Sequence, residues 1–351
     1  MTPTLQVKNL RVYYHSARGI VKAVDDVSFA VEAGERFGLI GESGSGKSTI
    51  ALAIMRLIRP PGVIEGGEIR LDGENLLELD AEEMRRRRLA NVAMITQGAM
   101  NSLNPVIRVR QQFADGLASH AEGLSKQETG VRLAALLRRV GLPVEVADMF
   151  PHQLSGGMKQ RVCIAYAMSL RPSLIIADEP TSALDVVVQR QVMQTLGQAQ
   201  EDLDAAVILI GHDMGLMAQF ARRVGVMYAG KLLEEGPVRS IFRQPAHPYT
   251  RLLMESLPSL EQKGELGETA APVIAPSAAD RPSGCVFHPR CPYVMPQCRT
   301  VAPEYRKVGA GQWAACHLLD GDMALAVSAD GAVNGIASSA ATGAVAREEQ
   351  P

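Results

Sequence analysis

Cysteine, tryptophan and excess charge of either sign are all scarce in this chain. Five of its 351 residues are cysteine, one is tryptophan, and aromatic residues make up 4% of it. Its 36 basic and 38 acidic residues give a net charge of −2, so there is no global basic field of the kind that gathers nucleic acid. The arginine run at 85–88 is the one dense patch of a single sign, and it reads as a solvated helix face. No segment reaches the roughly 18–20 continuous apolar residues of a membrane span. The opening MTPTLQVKNL has no charged region followed by an apolar one, so no secretory signal is expected. A cytosolic chain keeps its thiols reduced. A disulfide framework is therefore the weaker reading of its cysteines.

The composition that remains is that of a globular protein: 46% apolar and 21% charged, enough to bury a full core. The length fits roughly two domains at about 150 residues each. LQVKNLRVYY and VDDVSFAVEAG read as short β segments, and RFGLI (36–40) as a buried strand. A Gly/Ser loop leads from it into an amphipathic stretch from Ser48 to Ile58, after which GGEIRLDG returns to β. Residues 98–170 are mostly helical in pattern, with Leu133, Leu136, Leu137 and Val140 at helical spacing. LIIAD (174–178) and VILIG (207–211) are apolar runs of the kind buried in parallel sheets. The expected fold is α/β, interrupted by a helical insert. Beyond residue 240 the texture changes to a Pro/Ala/Ser/Glu-rich linker near 258–284 and a cysteine segment. A small, weakly polar tail from 321 is expected to be disordered.

Chemistry concentrates at three places. GESGSGKST (41–49) fits the phosphate-binding loop pattern, with Gly41, Gly46, Lys47 and Ser48 in register. Glycines let backbone N–H groups close around phosphate oxygens, Lys47 supplies a point charge and Ser48 offers a hydroxyl to Mg²⁺. Ser43, Gly44 and Thr49 complete the loop. LIIADEP sets Asp178 and Glu179 at the C-terminal end of a second buried strand. There one carboxylate can hold Mg²⁺ through water and the next can polarise an attacking water. LSGGMKQR (154–161) starts a helix on Ser155, with Gly156 and Gly157 allowing close approach, and reads as a second anion-binding terminus.

Together GESGSGKST, Gln97, LSGGMKQR, IIADEPTSALD and His212 closely resemble the ATP-binding subunit of an ABC transporter. The resemblance covers residues from about 5 to 240. It implies a P-loop ABC ATPase core: a parallel sheet, an antiparallel β subdomain and a helical insert. It also implies two such subunits facing head to tail, each ATP lying between one chain's P-loop and the other's signature helix. On that resemblance Tyr14 stacks on adenine, and Gln97 senses Mg²⁺ and contacts the membrane partner. Ser155, Gly156, Gly157 and Asp185 reach the opposite nucleotide, and His212 holds the γ-phosphate for Glu179.

Past residue 240, QPAHPYTRLL and the cysteine segment look like the C-terminal extension of the oligopeptide/dipeptide importer group. This divides the chain into an ATP-binding domain at 1–240, an extension at 241–320 and a tail at 321–351. The implied partners are a second, sibling ATPase, two membrane permeases and an extracytoplasmic substrate-binding protein. The implied location is the cytoplasmic face of the inner membrane. Gly98-Ala99 departs from the group's common Asp-Pro and leaves the cargo open, since relatives also import nickel or oligosaccharides. A soluble ABC ATPase acting on ribosomes or DNA is a competing class, but this chain has one P-loop and no room for a long coiled coil.

Cys285, Cys291, Cys298 and Cys316 are spaced C-x5-C-x6-C-x17-C, unlike the C-x2-C pairs of zinc ribbons. Four thiolates can hold Zn²⁺ or an iron–sulfur cluster. The importer group carries the same cysteines, interpreted as a [4Fe–4S] site, which favours iron–sulfur over zinc. Cys163 is expected to be an inert core residue.

Overall fold

The computed structural model describes residues 2–17, 19–120, 125–256 and 281–320. The expected linker lies mostly outside the described residues and the tail at 321–351 wholly so.

The chain opens with β1 (Leu5–Ser16) and β2 (Gly19–Val31), strands of 12 and 13 residues where short segments were expected. Asn9 and Asp26 take left-handed φ values of 47° and 61°, and register shifts accompany them. These bulges carry the pairing through positions where the apolar alternation lapses. β3 (Arg36–Ile40) follows and leads through the glycine-rich loop into α1 (Lys47–Ile54). α1 stops short of Ile58 because Arg56 turns left-handed at φ 49°. The Arg88 guanidinium then donates to the carbonyls of Met55 at 3.0 Å and Arg56 at 3.1 Å, satisfying acceptors at the helix end. β4 (Gly62–Leu71) and β5 (Glu74–Asn75) complete an antiparallel sheet ordered β2-β1-β4-β5. α2 (Ala81–Arg87) starts in a capping box of Asp80 and Glu83. Arg85 and Arg86 pair with Glu82 on its exposed face, as the arginine run suggested, whereas Arg88 lies past the helix and locks α1.

β6 (Val92–Ile95) enters the main sheet. The helical insert then carries α3 (Val109–Ala118), α4 (Lys126–Arg139) and α5 (Gly156–Ala167), with Leu133, Leu136, Leu137 and Val140 all buried. β7 (Leu174–Asp178), α6 (Val186–Leu203), β8 (Ala206–Gly211), α7 (Met214–Phe220) and β9 (Arg223–Tyr228) alternate through the core. β10 (Lys231–Pro237), α8 (Val238–Arg243) and α9 (Pro248–Glu255) follow. The hairpin of β11 (Tyr305–Gly309) and β12 (Gln312–Ala315) ends the described chain.

The main sheet runs β11-β12-β10-β9-β3-β8-β7-β6, parallel from β9 to β6 and antiparallel elsewhere. Successive side chains on a strand point to opposite faces, and here both faces are covered. Ile175 and Ala177 of β7 and Val207 and Leu209 of β8 join the core on the helical side. Leu174, Ile176, Ile208 and Ile210 join the one shared with the antiparallel sheet and α1. Such double burial is why these strands read as unbroken apolar runs.

The cysteine-bearing extension is built into this sheet. β12 pairs with β10, Glu234 opposite Ala314. Glu234 is fully buried, and its carboxylate accepts from the N–H groups of Ala246 (2.8 Å) and His247 (2.9 Å) and from Gln312 Nε2 (2.8 Å). Phe287 packs edge-on to Tyr228 with ring centroids 5.4 Å apart. Among the described residues no helix is long and apolar enough to cross a membrane.

Candidate functional site

β3 lies between β8 and β9, and the loop leaving its C-terminal end is wedged between backbones. Gly41 adopts φ 146°, and a Cβ there would lie 2.1 Å from the Met227 carbonyl oxygen. Gly46 adopts φ 103°, with a Cβ 2.2 Å from the Ala23 carbonyl oxygen. Only glycine fits either place. Gly44, at φ 77°, faces open space, and Ser43, Gly44 and Ser48 are exposed. Lys47 is buried, and its Nζ donates to the carbonyls of Gly41 and Glu42, both at 2.8 Å, and to Ser45 Oγ at 3.1 Å. Burial pulls its pKa down, while Glu179, Asp178 and Glu42 pull it up. α1 carries no acidic residue in its first turn. Thr49 follows, half-buried.

β7 and β8 end beside this loop. Asp178 is buried with Oδ1 unpartnered, and the Ser48 hydroxyl lies beside its carboxyl. Burial raises the Asp178 pKa, with Ser48 and Lys47 opposing. A buried carboxylate oxygen without a partner, next to a hydroxyl, is a hard-oxygen donor pair of the kind Mg²⁺ takes. Glu179 comes next, with its backbone held left-handed at φ 46° and its N–H donating to the Ile210 carbonyl at 2.9 Å. Its Oε2 accepts from Gln97 Nε2 at 2.8 Å, and its Oε1 lies 3.2 Å from His212 Nδ1. Gln97, Glu179 and His212 follow β6, β7 and β8, which are neighbours in the sheet. Three residues separated by 82 and 33 positions thus meet at one edge. A carboxylate held this way can accept a proton from water. Glu179 and His212 also line a cavity of about 240 Å³ floored by Leu209 and Ile210.

The remaining expected residues lie apart from this group. Ser155 caps α5, its Oγ accepting from Met158 N–H at 3.3 Å. A Cβ on Gly157 would lie 2.5 Å from Val188 Cγ1, and one on Gly156 would lie 3.2 Å from Leu184 and Met100, so α5 packs tightly against the start of α6. Asp185 caps α6 through Val188 N–H at 3.0 Å. Among the described residues no hydrogen bond or ion pair joins Ser155, Gly156, Gly157 or Asp185 to the loop at 41–49 or to Glu179. Tyr14, on β1, packs its ring over Gly62, where a Cβ would come within 2.7 Å of it.

The four cysteines of the extension share one neighbourhood. Cys285, Cys298 and Cys316 are buried and Cys291 half-buried, all free thiols. Cys285 N–H donates to the Cys298 carbonyl at 2.8 Å. Burial pushes the Cys285 pKa up to about 11 and that of Cys316 up to about 12, and the neighbouring cysteines add to both. The expected four-thiolate site gains no support from the geometry: among the described residues no group of three or more His, Cys, Asp or Glu side chains is disposed to hold a metal ion. Cys163 is a buried residue of α5, as expected, its Sγ donating to the Ala99 carbonyl at 3.3 Å.

Sequence reasoning missed Glu42, Tyr249 and Arg290. Glu42 N–H donates to the Tyr249 hydroxyl at 3.0 Å, and its carboxylate accepts from Arg290 Nη1 at 2.8 Å. The available signal was a carboxylate inside a phosphate-binding loop, where it needs a cation or a turned-away conformation.

Comparison with known proteins agrees with this geometry. The ABC transporter family profile matches residues 24–182, and that of the oligopeptide/dipeptide transporter C-terminal region matches 233–298. The chain is 44% identical over 315 residues to a dipeptide transport ATP-binding protein, DppD, of Haemophilus influenzae, covering 89% of this chain and 94% of that one. It is 43% identical over 298 residues to an oligopeptide transport ATP-binding protein, OppD, of Bacillus subtilis, covering 84% and 83%. A solved dimeric bacterial ABC transporter cassette superposes with a TM-score of 0.60 at 29% identity, over 67% of this chain and 99% of that one. A dimeric post-hydrolysis ATP-binding cassette bound to ADP and phosphate gives 0.60 at 28% identity, with the same coverage.

Proposed function

This chain belongs to the ABC transporter family as a peptide-import ATP-binding subunit, and on that premise we infer how its residues couple ATP hydrolysis to transport. The single observation that carries the reading is Glu179 held between Gln97 and His212 at the sheet edge that also carries Lys47 and Asp178. Gly41, Ser43, Gly44, Gly46 and Thr49 cradle the ATP phosphates. Lys47 supplies the charge, and Ser48, Asp178 and Gln97 would hold the Mg²⁺ that arrives with the nucleotide, where it would neutralise phosphate charge. Glu179 takes the proton of the attacking water while His212 fixes the γ-phosphate, and ADP leaves with the broken bond's electrons. Tyr14 stacks on adenine.

Ser155, Gly156, Gly157 and Asp185 act on the nucleotide of a second ATPase subunit. Their separation from the P-loop in hydrogen bonding supports this, as does the dimeric state of the two cassettes it superposes on. We favour a sibling subunit as the partner, which makes the working unit a heterodimer.

Permease subunits and a substrate-binding protein complete the importer, so the chain works as a peripheral membrane protein. The finer placement we favour is the cytoplasmic face of the inner membrane. An apolar groove of about 670 Å³ beside Gln97, lined by Leu89, Ala99, Leu103 and Tyr166, suits a short permease helix. The functional division we favour keeps ATP chemistry within 1–240, docking within its helical part at 98–170, and the cysteine-bearing extension of the importer group within 241–320.

The finer reading of the cysteines is a structural [4Fe–4S] site, with Zn²⁺ the alternative, supported by the convergence of Cys285, Cys291, Cys298 and Cys316. Iron, sulfide and zinc analysis of anaerobically purified protein tests it. Protein without stoichiometric metal ends that reading. The transport reading is tested by reconstituting the chain with its permeases in vesicles. Peptide uptake should require ATP and fail with Lys47→Ala. Uptake that persists with Lys47→Ala ends it.

A further inference from the structure

Glu42 sits inside the phosphate-binding loop yet is gripped by two residues that come after residue 240. Its N–H donates to the Tyr249 hydroxyl at 3.0 Å, and its carboxylate accepts from Arg290 Nη1 at 2.8 Å. Both partners are themselves fixed. Tyr249 is fully buried in α9, its ring 4.6 Å from that of Tyr228 and 5.3 Å from that of Phe287. The Arg290 side chain is 13% exposed, lies over the Tyr228 and Phe287 rings, and reaches the Tyr228 hydroxyl at 3.4 Å. On the other side of the loop, the Glu42 carbonyl accepts from Lys47 Nζ at 2.8 Å. A continuous path of contacts therefore runs from the extension through Glu42 to the lysine that meets phosphate.

From this geometry we infer that the C-terminal extension sets the nucleotide affinity of the P-loop, with Tyr249 and Arg290 as its positioning residues. The inference rests on the reading of residues 41–49 as the ATP loop. A loop with glycines at 41, 44 and 46 has much backbone freedom to lose on binding, and a loop already held in shape loses less. The Arg290–Glu42 contact is charge-assisted and largely shielded from water, the setting in which such hydrogen bonds are strongest. Tyr249 anchors the backbone at the same residue, so two independent contacts meet on one hinge of the loop. The turn that carries Arg290 begins with His288 N–H donating to the Cys285 carbonyl at 3.0 Å, so the nucleotide loop and the cysteine loop share one scaffold.

The test titrates the full chain with a fluorescent ATP analogue and Mg²⁺, reading affinity alongside thermal stability. Arg290→Ala should weaken binding by about tenfold, the size expected for one charged hydrogen bond. Arg290→Lys should recover part of the loss. Combining Arg290→Ala with Glu42→Gln should add little to the larger single effect, because both remove the same contact. Tyr249→Phe keeps the ring and its packing, so it isolates the hydroxyl, and with Glu42→Gln it reads the grip if Arg290→Ala does not fold. A change under threefold in these variants, or strictly additive losses in the cycle, overturns the inference. Lys47→Ala is the control that separates the two readings: if it also leaves affinity intact, the ATP-loop assignment itself has failed.

Discussion

His212 Nδ1 lies 3.2 Å from Glu179 Oε1, joining side chains that leave the ends of adjacent parallel strands β8 and β7. The other oxygen of the same carboxylate is engaged by Gln97, so its orientation is fixed before any substrate arrives. Glu179→Gln keeps the shape and removes the proton acceptor. It should retain ATP binding and lose hydrolysis by about 10²–10⁴-fold, the usual contribution of a positioned base. Rates measured on the assembled transporter decide it, and a loss of tenfold or less would remove Glu179 from that role.

Assembly is the second expectation. With Ser155 and Gly157 at the start of α5, packed on α6, the single chain should hydrolyse ATP slowly, with full activity restored by its sibling subunit and the permeases. Ser155→Arg should abolish the activity gained on assembly while leaving nucleotide binding by the same chain unchanged. Rapid hydrolysis by the dilute single chain that is insensitive to Ser155→Arg contradicts a shared site.

The loop glycines differ in a testable order. Gly41→Ala and Gly46→Ala place a Cβ 2.1 Å and 2.2 Å from backbone oxygens, which neither neighbour can yield, so both should abolish nucleotide binding. Gly44→Ala meets nothing within 4 Å and bears only the left-handed strain, about 1–2 kcal/mol. It should bind with reduced affinity. Equal effects at all three positions, in folded protein, would mean that the wedge between backbones is not what shapes the loop.

Asp25 predicts a pH dependence. Burial alone would raise its pKa, but the Tyr13 hydroxyl at 2.6 Å, Lys231 at 3.2 Å and Arg281 at 2.8 Å outweigh it and hold the carboxyl at about 2. A carboxyl whose folded pKa lies below its unfolded value of 3.8 adds stability above that value and loses it as pH falls toward 2. Asp25→Asn should therefore be less stable than the parent at neutral pH, by about 1 kcal/mol after solvent screening. That gap should narrow as pH drops below about 4. Urea unfolding at several pH values measures it, and a gap that widens on acidification refutes the assignment.

Much of the site was readable because its determinants are local. A P-loop is nine consecutive residues, and an acidic pair after an apolar strand is seven, so spacing alone carries the chemistry. The union of Gln97, Glu179 and His212 was expected from resemblance, while its physical cause is the strand order β6-β7-β8, which no short stretch encodes. The grip on Glu42 was hidden for the same reason: its partners lie 207 and 248 residues away. The cysteine segment drew attention to metal, yet the nearby residues that reach the P-loop and the sheet are Arg290 and Gln312. Helix α1 ends where Arg56 turns left-handed, and the carbonyls freed there are taken up by Arg88, a residue whose run of four looked like plain solvated charge.

β12 lies along β10 and adds the extension to the sheet that bears the ATP site. A chain ended at residue 256 would leave β10 as a bare edge and Glu234 without Gln312. Bare edges invite pairing with whatever strand is nearby. A shortened protein should therefore precipitate or form ladders of like molecules even with every nucleotide-binding residue present, and proteolysis between the two parts would turn a transporter subunit into a seed for aggregation.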